Sequence, residues 1–275
     1  MSGDRQQRMR ALVAALCDDL CGGRKTGTPG AARARGIVRE SWRQAGLDPD
    51  EQDIPTCGGV NLLATLPGDA DRYVLVAAHY DHLGRERGAI YRGADDNAAA
   101  VAILCEVARE LSALRPSGRG VLLAAFDAEE PPHFMSGAMG SQYFVQHSPV
   151  PLACIDQMIC MDLVGHAVGP EAAPRAVRDS VFVLGAERSL GTATLVDAIE
   201  QPGLVARRID AEVIPPLSDY LAFWQAGIPF AFLTCGRWAH YHTPEDTPDK
   251  LDYSKMAAIA SWLEQFVRRS GIATG

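Results

Sequence analysis

Long apolar runs are missing from the start of this sequence. In MSGDRQQRMRALVAALCDDLCGG the apolar stretch is Ala11 to Leu16, and Cys17, Asp18 and Asp19 end it. That is too short for a membrane span or a secretory signal core, so the expectation is a cytoplasmic protein with no membrane partner. Basic excess is missing as well: 26 Lys and Arg stand against 34 Asp and Glu, for a formal charge of -8 and a pI near 5.4. Binding nucleic acid through a basic footprint needs clustered Lys and Arg, so no nucleic-acid partner is expected. Paired cysteine spacing is absent too. The seven cysteines, at 17, 21, 57, 105, 154, 160 and 235, are odd in number and several sit in apolar segments, which fits buried reduced thiols rather than a disulfide framework. Cys17 and Cys21 lie one helical turn apart but have no second pair to complete a structural metal site. No internal repeat or low-complexity tract is present.

What is present is an ordinary globular composition, 47% hydrophobic and 22% charged over 275 residues, best read as one catalytic unit with a helical segment over 1 to 50 packed on it. Periodicity predicts helices over 5 to 20 and 31 to 46, then strands over NLLATLP (61 to 67) and YVLVAAH (73 to 79). The PGDAD between them suits neighbouring strands joined by a tight turn. Alternation follows: a helix over about 97 to 114, a strand at 121 to 126, a helix near 139 to 147 and a strand around 153 to 161. VFVLG (181 to 185), a helix near 190 to 200, a strand near 204 to 209, a helix over 217 to 226, IPFAFLT (228 to 234) and a helix over 253 to 269 complete the chain. Such alternation indicates an α/β sandwich with a largely parallel sheet covered on both faces. GHAVGPEAAPRAVRD (165 to 179) reads as a surface loop.

The polar residues that matter stand where apolar strands stop. VLVAAHYDHLG ends in His79, Tyr80, Asp81 and His82; VLLAAFDAEEPP ends in Asp127, Glu129 and Glu130; CIDQMICMDLVG places Asp162 at its end; IPFAFLTCGRWAHYHTPEDTPDKLD runs into His240, Tyr241 and His242. GADDNAAAVAILC sets Asp95 and Asp96 at the start of an amphipathic helix. One acid there would be a routine N-cap worth about 1 kcal/mol, but two exceed what capping needs. Asp162, buried without a partner, would cost several kcal/mol, so it needs a cation or hydrogen-bond donors. A set such as His79, Asp96, Glu130, Asp162 and His242, in which the residues alone do not choose between Asp95 and Asp96, offers only imidazole and oxygen donors. That suits zinc, with manganese or cobalt behind it. Five ligands are too many for one open tetrahedral ion, whereas a bridging carboxylate gives each of two ions three ligands. Two divalent ions, three carboxylates and one hydroxide then sum to neutrality. Of the paired glutamates, one can coordinate while its neighbour acts as general base.

These segments, AHYDHLG, GADDNA, FDAEE, MICMDLVG and YHTPEDTPDKLD in this order, resemble the di-zinc aminopeptidase family, which includes bacterial leucine aminopeptidases and glutaminyl cyclases. GRKTGTPGAARARGIVRESWRQAGL resembles that family's entry segment, so the likeness spans nearly the whole chain. The resemblance implies a three-layer sandwich with a mixed, mostly parallel sheet of about eight strands flanked by helices. It implies one zinc held by His79 and Asp162, a second by Glu130 and His242, and Asp96 as the bridge, which decides between Asp95 and Asp96. It also implies that Asp81 fixes the His79 tautomer, that Glu129 moves a proton from the bridging water to the leaving amine, and that Tyr241 donates to the oxyanion. The activity implied is removal of the N-terminal residue of a peptide or small aminoacyl conjugate. The alternatives are glutaminyl cyclisation, which in this family uses one zinc, amide hydrolysis on a small metabolite, or a binding protein that has lost its metals. PPHFMSGAM after Glu130 is longer than the family's usual turn and would reshape the pocket mouth, where Phe134, Arg237 and Trp238 are candidate lining residues. Ala99, Ala100 and Cys160 depart from the family's commoner residues as packing changes.

Overall fold

The computed structural model describes residues 2–113, 118–216 and 218–270. Helices α1 (Ser2–Leu16) and α2 (Pro29–Gln44) come first, then strands β1 (Asp50–Ile54), β2 (Gly59–Leu66) and β3 (Ala70–His79) and a small hairpin of β4 (Gly84–Glu86) and β5 (Ala89–Tyr91). Next are α3 (Ala99–Ser112), β6 (Arg119–Phe126), α4 (Gly140–Gln146), β7 (Ile155–Met161), α5 (Arg175–Arg178) and β8 (Ser180–Leu184). The remainder is α6 (Leu190–Ala198), β9 (Val205–Ile209), α7 (Tyr220–Gln225), β10 (Phe230–Thr234) and α8 (Tyr253–Ser270). Leu114 and Leu217, expected at the ends of two helices, lie outside the described residues.

Eight strands form one mixed sheet in the order β1-β2-β6-β3-β7-β10-β8-β9. Its centre is the parallel run β6-β3-β7-β10, so four consecutive strands deliver their C-terminal ends to one edge. Antiparallel pairing is confined to β1 with β2, β2 with β6, and β10 with β8. The central strands read as unbroken apolar runs because both faces are buried. Val74, Val76 and Ala78 of β3 enter one core with α1, α2, α3 and α8, while Leu75 and Ala77 enter the other with Phe144 of α4 and Phe223 of α7. Thr28 caps α2, its hydroxyl accepting from the Ala31 amide, and Pro29 starts the helix where its missing N–H costs nothing.

Two expectations change, and three short strands are added. β2 and β3 are not neighbours: β6 lies between them, antiparallel to one and parallel to the other. The PGDAD turn passes over the start of β6, where the Ala70 amide donates to Gly118 O at 2.8 Å, and an added Cβ on Gly68 would meet Gly118 O at 2.3 Å. Residues 165–179 are not wholly a surface loop, since Gly165 and His166 dock against Asp95 and α5 closes the segment. β1 is a polar edge strand and β4–β5 a hairpin of two three-residue strands, one too polar and the others too short for a sequence pattern to betray them. Among the described residues no disulfide forms: Cys17, Cys21, Cys105, Cys160 and Cys235 are buried thiols, and Cys57 and Cys154 are half-buried. No helix among them is long and apolar enough to cross a membrane.

Candidate metal centre

His79 is the last residue of β3, Asp127 to Glu130 follow β6, Asp162 follows β7 and the segment to His242 follows β10. The parallel centre of the sheet therefore brings four strand ends together, at the edge where open α/β sheets carry their sites. Asp96 arrives from the turn that precedes α3. Two groups of donor atoms result, each drawn within 4.8 Å: His79, Asp96 and Asp162 in one, His82, Asp96 and Glu130 in the other. Asp96 belongs to both. Its Oδ1 lies 3.6 Å from His79 Nε2, and its Oδ2 lies 3.1 Å from His242 Nε2. Asp162 Oδ1 is 3.5 Å from His79 Nε2, and His242 Nε2 is 3.2 Å from Glu130 Oε2.

Both ring nitrogens of His79, Asp96 Oδ2 and Asp162 Oδ1 are buried and have no hydrogen bond. Orphaned donors of this kind, converging from several elements, are costly unless a cation satisfies them. The donor chemistry, imidazole and carboxylate with no thiolate, fits zinc. The charges already respond to crowding. Burial lifts the Glu129 carboxyl well above its usual range, with Asp162 and Glu130 adding to it. Asp96 is raised to about 6, first by burial and then by Glu130. Burial opposes protonation of His242, but the carboxylates of Asp96 and Glu130 at 3.1 and 3.2 Å outweigh it and carry the ring to about 10.

A shell of buried residues holds these donors in place. Asp81 accepts from the Glu129 and Glu130 amides at 3.2 and 3.1 Å and sits 3.5 Å from His79 Nδ1. Ala128 at φ 60° turns the chain between Asp127 and Glu129. Asp127 is a structural hub: it accepts from Tyr80 OH, Thr26 Oγ1 and the Val60 amide and faces away from the donor groups. Asp95 caps no helix; it accepts from the Gly165 amide at 2.6 Å and from His166 at 2.7 Å. Sequence reasoning missed three members of this shell. Asp246 accepts from the amides of Asp95 and Asp96 at 2.9 and 3.1 Å, tying the His242 loop to the Asp96 turn. Arg24, fully buried, donates to the carbonyls of Tyr80, Leu16 and Gly93. His82 Nδ1 lies 2.7 Å from Glu130 Oε1, on a ring that burial keeps neutral by lowering it to about 3. His82 was visible as a polar residue after an apolar strand, but nothing in the spacing tied it to Glu130, 48 residues on.

Above the donors lies a cavity of about 160 Å³ lined by Asp96, Glu129, Glu130, Asp162, Phe134 and Tyr241, with Pro131, Arg237 and His242 completing it. Phe134 and Arg237 are thus where the sequence suggested. Trp238 is not a lining residue; it stacks on His166 at 4.8 Å. The Tyr241 ring stacks on His242 at 3.8 Å, and burial, with Asp96 and Glu130, pushes its phenol upward.

A mixed sheet with two linked His–carboxylate donor groups at the ends of its parallel strands defines a metallohydrolase type of scaffold. Residues 61–267 match the model of peptidase family M28, and the chain belongs to that family. The expectation of a zinc metallo-aminopeptidase kind of enzyme agrees with it. Among relatives, the chain is 31% identical over 252 residues to the uncharacterized protein YfbL of Escherichia coli, covering 82% of this chain and 76% of that one. It is 26% identical to a glutaminyl-peptide cyclotransferase of Boiga irregularis, covering 89% of this chain and 76% of the relative. The LapA aminopeptidase of Legionella pneumophila shares the fold with a TM-score of 0.78 at 16% identity, over 97% of this chain and 72% of LapA.

Proposed function

We propose that this chain is a two-zinc aminopeptidase acting on the N-terminal amide bond of peptides or small aminoacyl conjugates. The observation that carries the reading is Asp96, whose two oxygens face His79 and His242 at 3.6 and 3.1 Å. In this reading His79 and Asp162 hold one ion, Glu130 and His242 the other, and Asp96 is shared. Zinc, when bound, supplies Lewis acidity and an acidified water. The rest of the chemistry belongs to the chain. Glu129, 3.8 Å from His79 Nε2 and bonded to no ligand, takes a proton and returns it to the leaving amine. Its lifted affinity for protons suits a group that must both hold and release one. Asp81 fixes the Glu129–Glu130 backbone through their amides and faces His79 Nδ1. His82 occupies Glu130 Oε1, which leaves Oε2 for the ion. The Tyr241 hydroxyl, on the cavity wall, donates to the oxyanion that develops at the substrate carbonyl.

Glutaminyl cyclisation is the second reading, favoured by the cyclotransferase among the relatives. It would need one ion. Zinc-reconstituted protein assayed on leucyl and glutaminyl peptides separates the two: release of free leucine supports the first, and pyroglutamyl product without leucine release supports the second.

A further inference from the structure

The inner wall of the cavity is acidic, with Asp96, Glu129, Glu130 and Asp162, and the lone Lys or Arg among its lining residues is Arg237. Arg8 is tied to Glu106, Arg188 to Glu212 and Arg24 to backbone carbonyls. Arg237 is different. Among the described residues its guanidinium has neither an ion pair nor a hydrogen bond and instead lies over the Tyr241 ring at 4.7 Å, where a cation–π contact can hold it. Tyr241 in turn stacks on His242 at 3.8 Å, so guanidinium, phenol and imidazole form three layers leading from the donor groups to the mouth. The contact is to the ring face, which leaves the donor fork of the guanidinium free.

We infer that Arg237 is a specificity-determining residue that pairs with a carboxylate of the substrate one or two residues beyond the scissile bond. The inference rests on the aminopeptidase reading and narrows it to zwitterionic, short substrates. The guanidinium lies 4.7 Å from a ring that is itself 3.8 Å from His242, and an extended residue spans roughly 3.3–3.6 Å, so a carboxylate one or two residues from a carbonyl over the donors comes within reach. A cavity of about 160 Å³ is also small beside the roughly 300–1,000 Å³ usual for drug-sized ligands. The carboxylate can be the C-terminus of a dipeptide or an acidic side chain next to the cleaved bond. In either case the acidic floor meets the amino group and Arg237 the carboxylate, and a planar guanidinium accepts it on two N–H groups.

The test compares kcat/KM of the zinc-loaded enzyme on Leu-Ala with Leu-Ala-amide, and on Leu-Asp-amide with Leu-Asn-amide. Either the free dipeptide or the aspartyl substrate should be preferred by about 10- to 100-fold. That preference should collapse in Arg237→Gln and partly return in Arg237→Lys. Whichever pair shows it identifies the source of the carboxylate. Equal rates within both pairs, or a preference that Arg237→Gln leaves intact, overturns the inference. An enzyme that releases leucine from none of the leucyl substrates with zinc bound contradicts the aminopeptidase reading instead, so the two failures are distinct.

Discussion

Asp96 illustrates how much a single side chain depends on its surroundings here. Its amide is pinned by Asp246 at 3.1 Å and its carbonyl faces Arg24 at 3.5 Å, so both carboxylate oxygens are free to face donors on opposite sides. Glu129 stands beside this arrangement and outside it. Glu129→Gln keeps size and removes the basic oxygen, so zinc content should stay near that of the parent while turnover falls by about 10²–10⁴-fold. Metal analysis and initial rates on one preparation check this, and unchanged turnover would remove Glu129 from the base role. His82→Ala should act differently, because it frees Glu130 Oε1 from its 2.7 Å contact. Loss of such an orienting partner typically costs about 10–100-fold in metal affinity, readable as a shift in the zinc concentration that gives half-maximal activity.

At the scale of elements, α1 is fastened to α3 and α8 by charge as well as by packing. Arg5 lies 2.8 Å from Glu264 and 3.4 Å from Glu110, and Arg8 lies 2.6 Å from Glu106. Acids outnumber cations in this cluster. Burial, with Glu110 adding and Arg5 opposing, lifts Glu264 from 4.5 to about 7. The folded chain then holds a proton that the unfolded chain gives up, so stability falls as pH rises from about 4.5 to about 7. Glu264→Gln should flatten that slope, and melting temperatures at either end of the window measure it; an unchanged slope would mean the proton resides elsewhere. Arg24 fastens the entry loop to the Asp96 turn by carbonyls alone. Most elements were legible in the sequence because buried parallel strands are runs of Val, Leu and Ala and the helices carry apolar stripes. The strand ends also announced the donors. What the sequence could not show was order across the sheet: the insertion of β6 between β2 and β3 depends on pairings 47 or more residues away that no local pattern records. Asp246, Arg24 and His82 escaped for the same reason, since their partners are distant backbone groups and a distant acid.

For the whole molecule, the negative charge of -8 and the buried acids of the centre oppose folding until cations balance them. Zinc binds the folded chain and has little hold on the unfolded one, so it should stabilise by about 2.7 kcal/mol at a free concentration one hundred times its Kd. A chelator should lower the melting temperature and added zinc restore it; a melting temperature indifferent to both would argue against a metal centre. The number of ions decides the role of Asp96, because two make it a bridge and one leaves it an ordinary ligand. The direct measurement is the zinc content of purified, active protein by elemental analysis, set against the rate of leucine release as zinc is titrated back into the metal-free chain. Two zinc ions per chain, with leucine release reaching its maximum as the second binds, is the result expected. Full activity with one zinc per chain would contradict the account.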